Sequence, residues 1–320
     1  MLKVFEAFAG IGAQRMALRN IGVDFEVVGI SEVDKYALNS YKAIHGDCPN
    51  YGDISKINPK DLPEIDLFTY SFPCQDISIA GKQEGIVRER TRSGLLYECE
   101  KIIEYCRPKY LLMENVKNLI GKKNKSNFEE WLKYLESLGY TNYWQVLNAK
   151  HYGVPQNRER VFCISILGNN NSYNFPKPID LKISVKDILE DEVDEKYYMN
   201  RPFKFVNKGH QAELEMLGHD CIKRVYSTDN VCPTLTTMAG GNTQPKFLIP
   251  QATKKVYIND KYKIRKITPK EAFRLMGLND EDIEKIQSIG TSNAQQYKQA
   301  GNSIVIPVLE GIFKELLINE

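Results

Sequence analysis

The 320-residue chain has seven cysteines, Cys48, Cys74, Cys99, Cys106, Cys163, Cys221 and Cys232, but no Cys-x-x-Cys pair. The odd count and the missing spacing argue against a structural zinc site and a disulfide framework, so no metal is expected. Long apolar runs are also lacking, and the first twelve residues carry Lys3 and Glu6 inside their apolar stretch. Neither a membrane span nor a signal peptide is therefore expected, and a cytoplasmic protein is. Charge of one sign is missing too: 43 Lys and Arg against 41 Asp and Glu leave a net charge of +2. Any nucleic-acid binding must come from local patches rather than bulk charge. Two patches are present, one with Lys82, Arg88, Arg90 and Arg92, the other with Lys117, Lys122, Lys123 and Lys125. Either alone also reads as solvated surface.

What is there alternates in type. Residues 2–8 run apolar into Ala9-Gly10-Ile11-Gly12, and residues 13–20 suit a helix ending near Gly22. A strand at 25–30 ends at Ser31-Glu32-Val33-Asp34 and is followed by a helical stretch, 35–44, then a loop holding Gly52-Asp53-Ile54. The apolar run 65–70 leads into Phe72-Pro73-Cys74-Gln75, a helix spans about 93–106, and a strand at 109–113 ends at Glu114-Asn115-Val116. A helix near 128–138 and strands at 143–149 and 161–167 complete an α/β pattern: a doubly wound, mostly parallel sheet. After Gly168 the chain turns to asparagine- and proline-containing turns and short β-like pieces. The domain expectation is thus 1–168 for a catalytic domain, 169–263 for a smaller strand-rich domain, and 264–320 for a segment returning to the first. Thr268-Pro269-Lys270-Glu271 is a capping box that opens a helix in that return.

Cys74 stands just past the carboxyl end of a strand, where open α/β sheets keep their chemistry, and Pro73 stiffens the turn before it. The competing reading is a buried core cysteine. Gly10 and Gly12 after the first strand would admit a ligand close to the backbone, and Glu32 after the second could take a ribose diol. The same glycines could also make no more than a tight turn. Arg15 stands where a dinucleotide fold wants its third glycine, which argues against NAD.

Taken together and in order, these segments resemble the DNA (cytosine-5)-methyltransferases, a class I S-adenosylmethionine-dependent fold, over nearly the whole chain. Phe8-Ala9-Gly10-Ile11-Gly12 looks like the family's cofactor loop, Glu32-Val33 and Asp53-Ile54 its ribose and adenine contacts, and Phe72-Pro73-Cys74-Gln75 its nucleophile turn. Glu114-Asn115-Val116, Gln156-Asn157-Arg158-Glu159-Arg160 and Gly301-Asn302-Ser303-Ile304-Val305 complete the set, with 265–277 resembling the helix that supports the second domain. The resemblance implies that Cys74 attacks carbon 6 of cytosine, that Glu114 serves ring N3, and that Arg158 and Arg160 steady the thiolate and the adduct. It implies S-adenosylmethionine as cofactor, with Pro73, Leu96, Asn302, Ser303 and Val305 adding to its site. It implies double-stranded DNA as substrate, with the base flipped out, a monomer, and a partner restriction endonuclease acting on the same sequence. Gln75, Ser78 and Arg88 would touch DNA from a closing loop at 78–92 hinged at Gly81 and Gly85, in which Ala80 replaces a serine common in bacterial relatives. Arg224, Thr234 and Gly240 would touch DNA from the strand-rich domain, which corresponds to the family's target recognition domain. Three other readings compete: a tRNA methyltransferase of the same fold, whose Cys-Phe-Thr tripeptide is missing; an idle DNA-binding module; and a dehydrogenase.

Overall fold

A computed structural model describes residues 1–78, 86, 91–168, 172–238, 240, 242–250 and 262–318. The chain forms two compact units, one of residues 1–148, 159–177 and 308–320, the other of residues 149–158 and 178–307.

The first unit is built on a six-stranded sheet of β1 (Leu2–Ala7), β2 (Phe25–Ser31), β3 (Leu67–Tyr70), β4 (Tyr110–Val116), β5 (Tyr140–Asn148) and β7 (Glu159–Leu167), with β6 (Gln156–Asn157) falling in the second unit. Its order is β2-β1-β3-β4-β7-β5; the first four strands are parallel, and β7 runs antiparallel to both its neighbours. β3 is buried at every residue and β4 at all but its last, which is why both read as continuous apolar runs rather than as alternation. Phe5, Phe68, Tyr70, Phe72, Leu111 and Met113 share one core, each contributing roughly 1.5–3 kcal/mol on burial. The helices are α1 (Ala13–Asn20), α2 (Lys35–His45), α3 (Leu96–Cys106) and α4 (Lys125–Ser137). Asp34 starts α2 by accepting the Tyr36 and Ala37 N–H groups. β4 extends beyond the expected 113 to Val116, because β7 goes on pairing with it and places Phe162 opposite Glu114. Glu114 is therefore a residue of the ladder, fixed in direction, rather than the start of a loop.

The second unit carries its own six-stranded sheet, of β8 (Tyr198–Met199), β9 (Phe203–Phe205), β10 (Ala212–Leu214), β11 (Arg224–Ser227), β13 (Lys246–Pro250) and β14 (Tyr262–Lys266), in the order β8-β14-β13-β11-β10-β9. β12 (Cys232–Pro233) pairs with β6 apart from it. Ala212, Leu214, Val225, Leu248 and Ile264 form its small core. Helices α5 (Asp220–Lys223), α6 (Pro269–Arg274), α7 (Asp280–Ser288) and α8 (Asn293–Asn302) follow the strands, and α9 (Ile306–Leu317) joins the first unit from Val308 onward. The capping box at Thr268 forms as its sequence predicts. Residues 264–307 stay in the second unit because Glu271, fully buried, takes the Arg265 guanidinium at 2.7 and 2.8 Å and the Glu190 N–H at 2.8 Å.

Candidate active site

Cys74 sits half-buried in the turn that follows β3. That turn is held at several points. The Cys74 carbonyl accepts the Ile77 and Ser78 N–H groups at 3.0 and 2.7 Å. Asn115 on β4 donates from Nδ2 to the Phe72 carbonyl at 3.0 Å, and Asn118 donates to the Ile77 carbonyl at 2.6 Å. On the opposite side Ser93, with no solvent exposure, donates its hydroxyl to the Pro73 carbonyl at 2.7 Å and its N–H to buried Asp76 at 2.9 Å. Five hydrogen bonds on carbonyls from 72 to 77 leave the thiol of Cys74 little freedom of direction. The contrast with Cys99, Cys163 and Cys232 is chemical: these lie in the core, and burial pushes their thiols up, that of Cys163 to about 12. They are packing residues.

β3 and β4 lie side by side with Tyr70 opposite Met113, so the Cys74 turn and Glu114 emerge at the same carboxyl edge. Glu114 is 8% exposed, and its Oε1 lies 3.2 Å from Nε of Arg160. The register explains the pair: Arg160 faces Val116 across the β4–β7 ladder, which puts Glu114 on the same face one diagonal step away. Arg158 belongs elsewhere. It lies in the second unit, 4% exposed, and its guanidinium donates to the carbonyls of Leu235, Gly301 and Ser303 at 2.8, 2.9 and 3.0 Å. Such an arginine holds backbone together rather than waiting for a substrate.

The loop after β1 carries three left-handed residues, Phe8, Gly10 and Gly12, at φ of 56°, 58° and 78°. A side chain at Gly12 would place Cβ 2.5 Å from His45 Nε2 and 2.7 Å from the Tyr41 ring, whereas one at Gly10 would meet open space. Glu32 follows β2 as expected and takes three backbone N–H groups, from Gly10, Val33 and Asp34, at 2.7 to 2.8 Å. Next to it Val33 is 69% exposed, while Ile11, Ile54 and Leu96 are buried and Phe8 and Pro73 half-buried. Asp53 caps the short turn after it, and its hydrogen bonds from Ser55 hold its carboxyl below the usual range. Asn302, Ser303 and Val305 lie at and after the end of α8, in the second unit.

A buried network behind this loop is missing from the sequence reading. Glu6 on β1, with no exposure, accepts the Arg15 N–H at 3.0 Å and the Tyr41 hydroxyl at 2.7 Å. Arg15 reaches the Tyr41 oxygen and the His45 carbonyl, both at 3.2 Å, and His45 Nε2 lies 3.1 Å from the Ile11 carbonyl. The signal was present in Glu6, a charge inside an apolar strand. Its partners, 9 and 35 residues further on, had none.

Of the DNA-contact expectations, Gln75 is exposed and Ser78 half-buried beside Cys74, while Arg224 and Gly240 are exposed in the second unit. Thr234 donates its hydroxyl to the Asn157 carbonyl at 2.6 Å. Arg88, like Ala80, Gly81 and Gly85, lies outside the described residues. Among the described residues no group of three or more His, Cys, Asp or Glu could hold a metal ion.

The family model for C-5 cytosine-specific DNA methylases matches residues 2–317. The chain is 42% identical to the type II methyltransferase M2.ScrFI of Lactococcus lactis subsp. cremoris, over 99% of both proteins. It is 36% identical to the orphan methyltransferase M.SPBetaI of Bacillus phage SPbeta, over 99% of this chain and 97% of that one. Among solved structures the S. pombe Dnmt2 methyltransferase matches 99% of this chain and 98% of its own, with a TM-score of 0.72 at 20% identity, a likeness of fold.

Proposed function

The chain belongs to the C-5 cytosine-specific DNA methylases and is a DNA (cytosine-5)-methyltransferase, and from this we propose that it flips a cytosine out of a short duplex sequence and attacks it covalently through Cys74. One observation carries the proposal: Cys74 sits in a pinned turn at the same sheet edge as the Glu114–Arg160 pair.

The first unit fits S-adenosylmethionine. Gly10 leaves its outer side open, Glu32 is fixed at the end of β2, and Val33 offers an exposed apolar side chain beside it. Phe8, Gly10, Ile11 and Gly12 would hold the amino-acid part, Glu32 the ribose, and Val33, Asp53 and Ile54 the adenine, with Pro73 and Leu96 contributing further contacts. When bound, this group supplies an electrophilic methyl for carbon 5.

Carbon 5 of cytosine is a poor nucleophile until a thiolate adds to carbon 6, which makes the ring enamine-like. Cys74 forms that C–S bond. Electron density then moves onto the ring, and Glu114 relieves it by sharing or giving a proton at N3. Arg160 fixes the direction of Glu114 and presents positive charge toward the base carbonyl. Once carbon 5 is methylated, its proton leaves to solvent, the thiolate of Cys74 departs and the N3 proton returns to Glu114, restoring the aromatic ring. Unstacking the base costs a few kcal/mol. Gln75 and Ser78 meet the DNA beside the flipped base, and the second unit reads sequence through the surroundings of Arg224, Thr234 and Gly240.

The likeness to a type II enzyme supports a role beside a restriction endonuclease acting on the same site. Among the described residues no helix is long and apolar enough to cross a membrane. The test is single-base mapping of 5-methylcytosine in DNA and total RNA from cells lacking their own cytosine methylation, expressing the parent or Cys74→Ala. Methylation at one short DNA motif that vanishes with Cys74→Ala is the expected result. Modified tRNA with clean DNA would transfer the activity to RNA, and equal methylation by both proteins would refute the mechanism.

A further inference from the structure

The second unit buries a lysine that the chemistry above does not use. Lys246, at the start of β13, is 1% exposed. Removing an ammonium from water is costly unless something compensates, and its hydrogen-bond partners among the described residues are two backbone carbonyls, Asn242 at 2.6 Å and Gln244 at 3.1 Å. Directly opposite it on β14 stands a second cation, Lys266, a like-charge pairing that disfavours the ladder. Lys266 donates to the same residue, the Asn242 side-chain oxygen, at 2.9 Å. Two ammonium groups thus converge on one asparagine, one on its backbone and the other on its side chain.

The loop they grip is unusual. Met238, Gly240 and Asn242 all adopt left-handed φ, at 47°, 82° and 59°. Glycine and asparagine visit that region readily, but a methionine persists there only when its surroundings over-determine it. Thr243 donates its hydroxyl to the Gly240 carbonyl at 2.8 Å, tying the tip to the clamped end, and Gly240 and Thr243 are both exposed. A strained, outward-facing loop with a buried and electrostatically unfavourable support is a shape maintained for contact with something outside the chain.

We propose that Lys246 and Lys266 are positioning residues that clamp Asn242, and with it Gly240 and Thr243, in the conformation that reads the target duplex. The inference rests on the duplex substrate proposed above. Its test uses the full chain, S-adenosylmethionine, and duplexes carrying either the mapped recognition sequence or single-base-pair variants of it. Lys246→Met should raise KM for the cognate duplex and reduce its preference over one-base-pair variants by roughly tenfold, the scale of one lost base-pair reading, with KM for S-adenosylmethionine unchanged. Asn242→Gly, which tolerates the left-handed backbone and keeps the carbonyl while losing only the Lys266 contact, should shift both in the same direction by a smaller factor, and it carries the test if Lys246→Met fails to fold. An unchanged preference in the folded variants, or an equal loss of rate on every duplex, would overturn the clamp. A parent protein without Cys74-dependent methylation of any duplex would instead mark failure of the proposed function.

Discussion

Replacing Glu6 by glutamine should change stability by an amount set by pH. Glu6 has no solvent exposure, and burial raises its carboxyl from 4.5 to about 7, against the pull of the Tyr41 hydroxyl and the Arg15 charge. Below about pH 4.5 the folded and unfolded chains both hold the proton, and the group contributes nothing. Between about 4.5 and 7 the unfolded chain releases it while the folded chain keeps it, so stability falls as pH rises. Above about 7 both forms are ionised and the full cost remains, about 3 kcal/mol for a gap of that size.

The amide in Glu6→Gln carries no such dependence. Whatever it loses in hydrogen bonding to Tyr41 and the Arg15 N–H is the same at every pH. The stability of Glu6→Gln relative to the parent should therefore improve by about 3 kcal/mol from pH 4.5 to 8, most of it between 5 and 7. Urea unfolding of both proteins across that range measures it. A difference that stays flat from pH 5 to 8 would refute the reasoning, because it would mean that Arg15 and Tyr41 hold Glu6 ionised throughout. Since Glu6 anchors the first turn of α1 behind residues 8–12, KM for S-adenosylmethionine should move in the same variant.

Arg160→Met removes the cation 3.2 Å from Glu114; single-turnover methylation should slow by about a hundredfold or more while duplex binding stays within a few-fold, and a parent-like rate would exclude Arg160 from the chemistry. Ser93→Ala deletes the hydroxyl on the Pro73 carbonyl; urea unfolding should show a loss of about 1 kcal/mol, and kcat should fall with KM for DNA held, because only the aim of Cys74 is loosened. Gly301→Ala would place Cβ 2.0 Å from the Thr236 carbonyl oxygen and 2.7 Å from the Thr237 nitrogen. Backbone must move to accept it, so a loss of about 3 kcal/mol is expected in urea unfolding, and a neutral result would contradict the close approach.

The shape of the loop after β1 was legible because its signals are local. An apolar strand, glycines that need left-handed φ, and a carboxylate at the end of the next strand all lie within 32 residues of the start. What fixes that loop was not legible, because Tyr41, His45 and Arg15 sit on amphipathic helices where a polar residue looks like solvated surface. The same holds at the Cys74 turn. Ser93, Asn115 and Asn118 are short polar residues of the kind that populate loops, and each gains its meaning from a carbonyl 20 to 43 residues away. Hydrophobic period reports which face is inside, but it carries no information about which backbone group a buried amide will meet.

Arg158 and Arg160 show where that limit falls. Two residues apart, they look interchangeable on an uninterrupted strand, since alternate side chains share a face. The ladder breaks between them. β6 ends at Asn157 and pairs with β12, and β7 begins at Glu159 and pairs with β4 and β5. Arg158, at the break, turns its guanidinium to three carbonyls of the second unit, while Arg160 lies in register with Val116 and meets Glu114. The second unit's strands, several only two or three residues long, are too short to show a period, so the break left no mark in the sequence. Residue type alone could nominate both arginines for the chemistry, and only the pairing register separates the one beside the carboxylate from the one that secures the backbone.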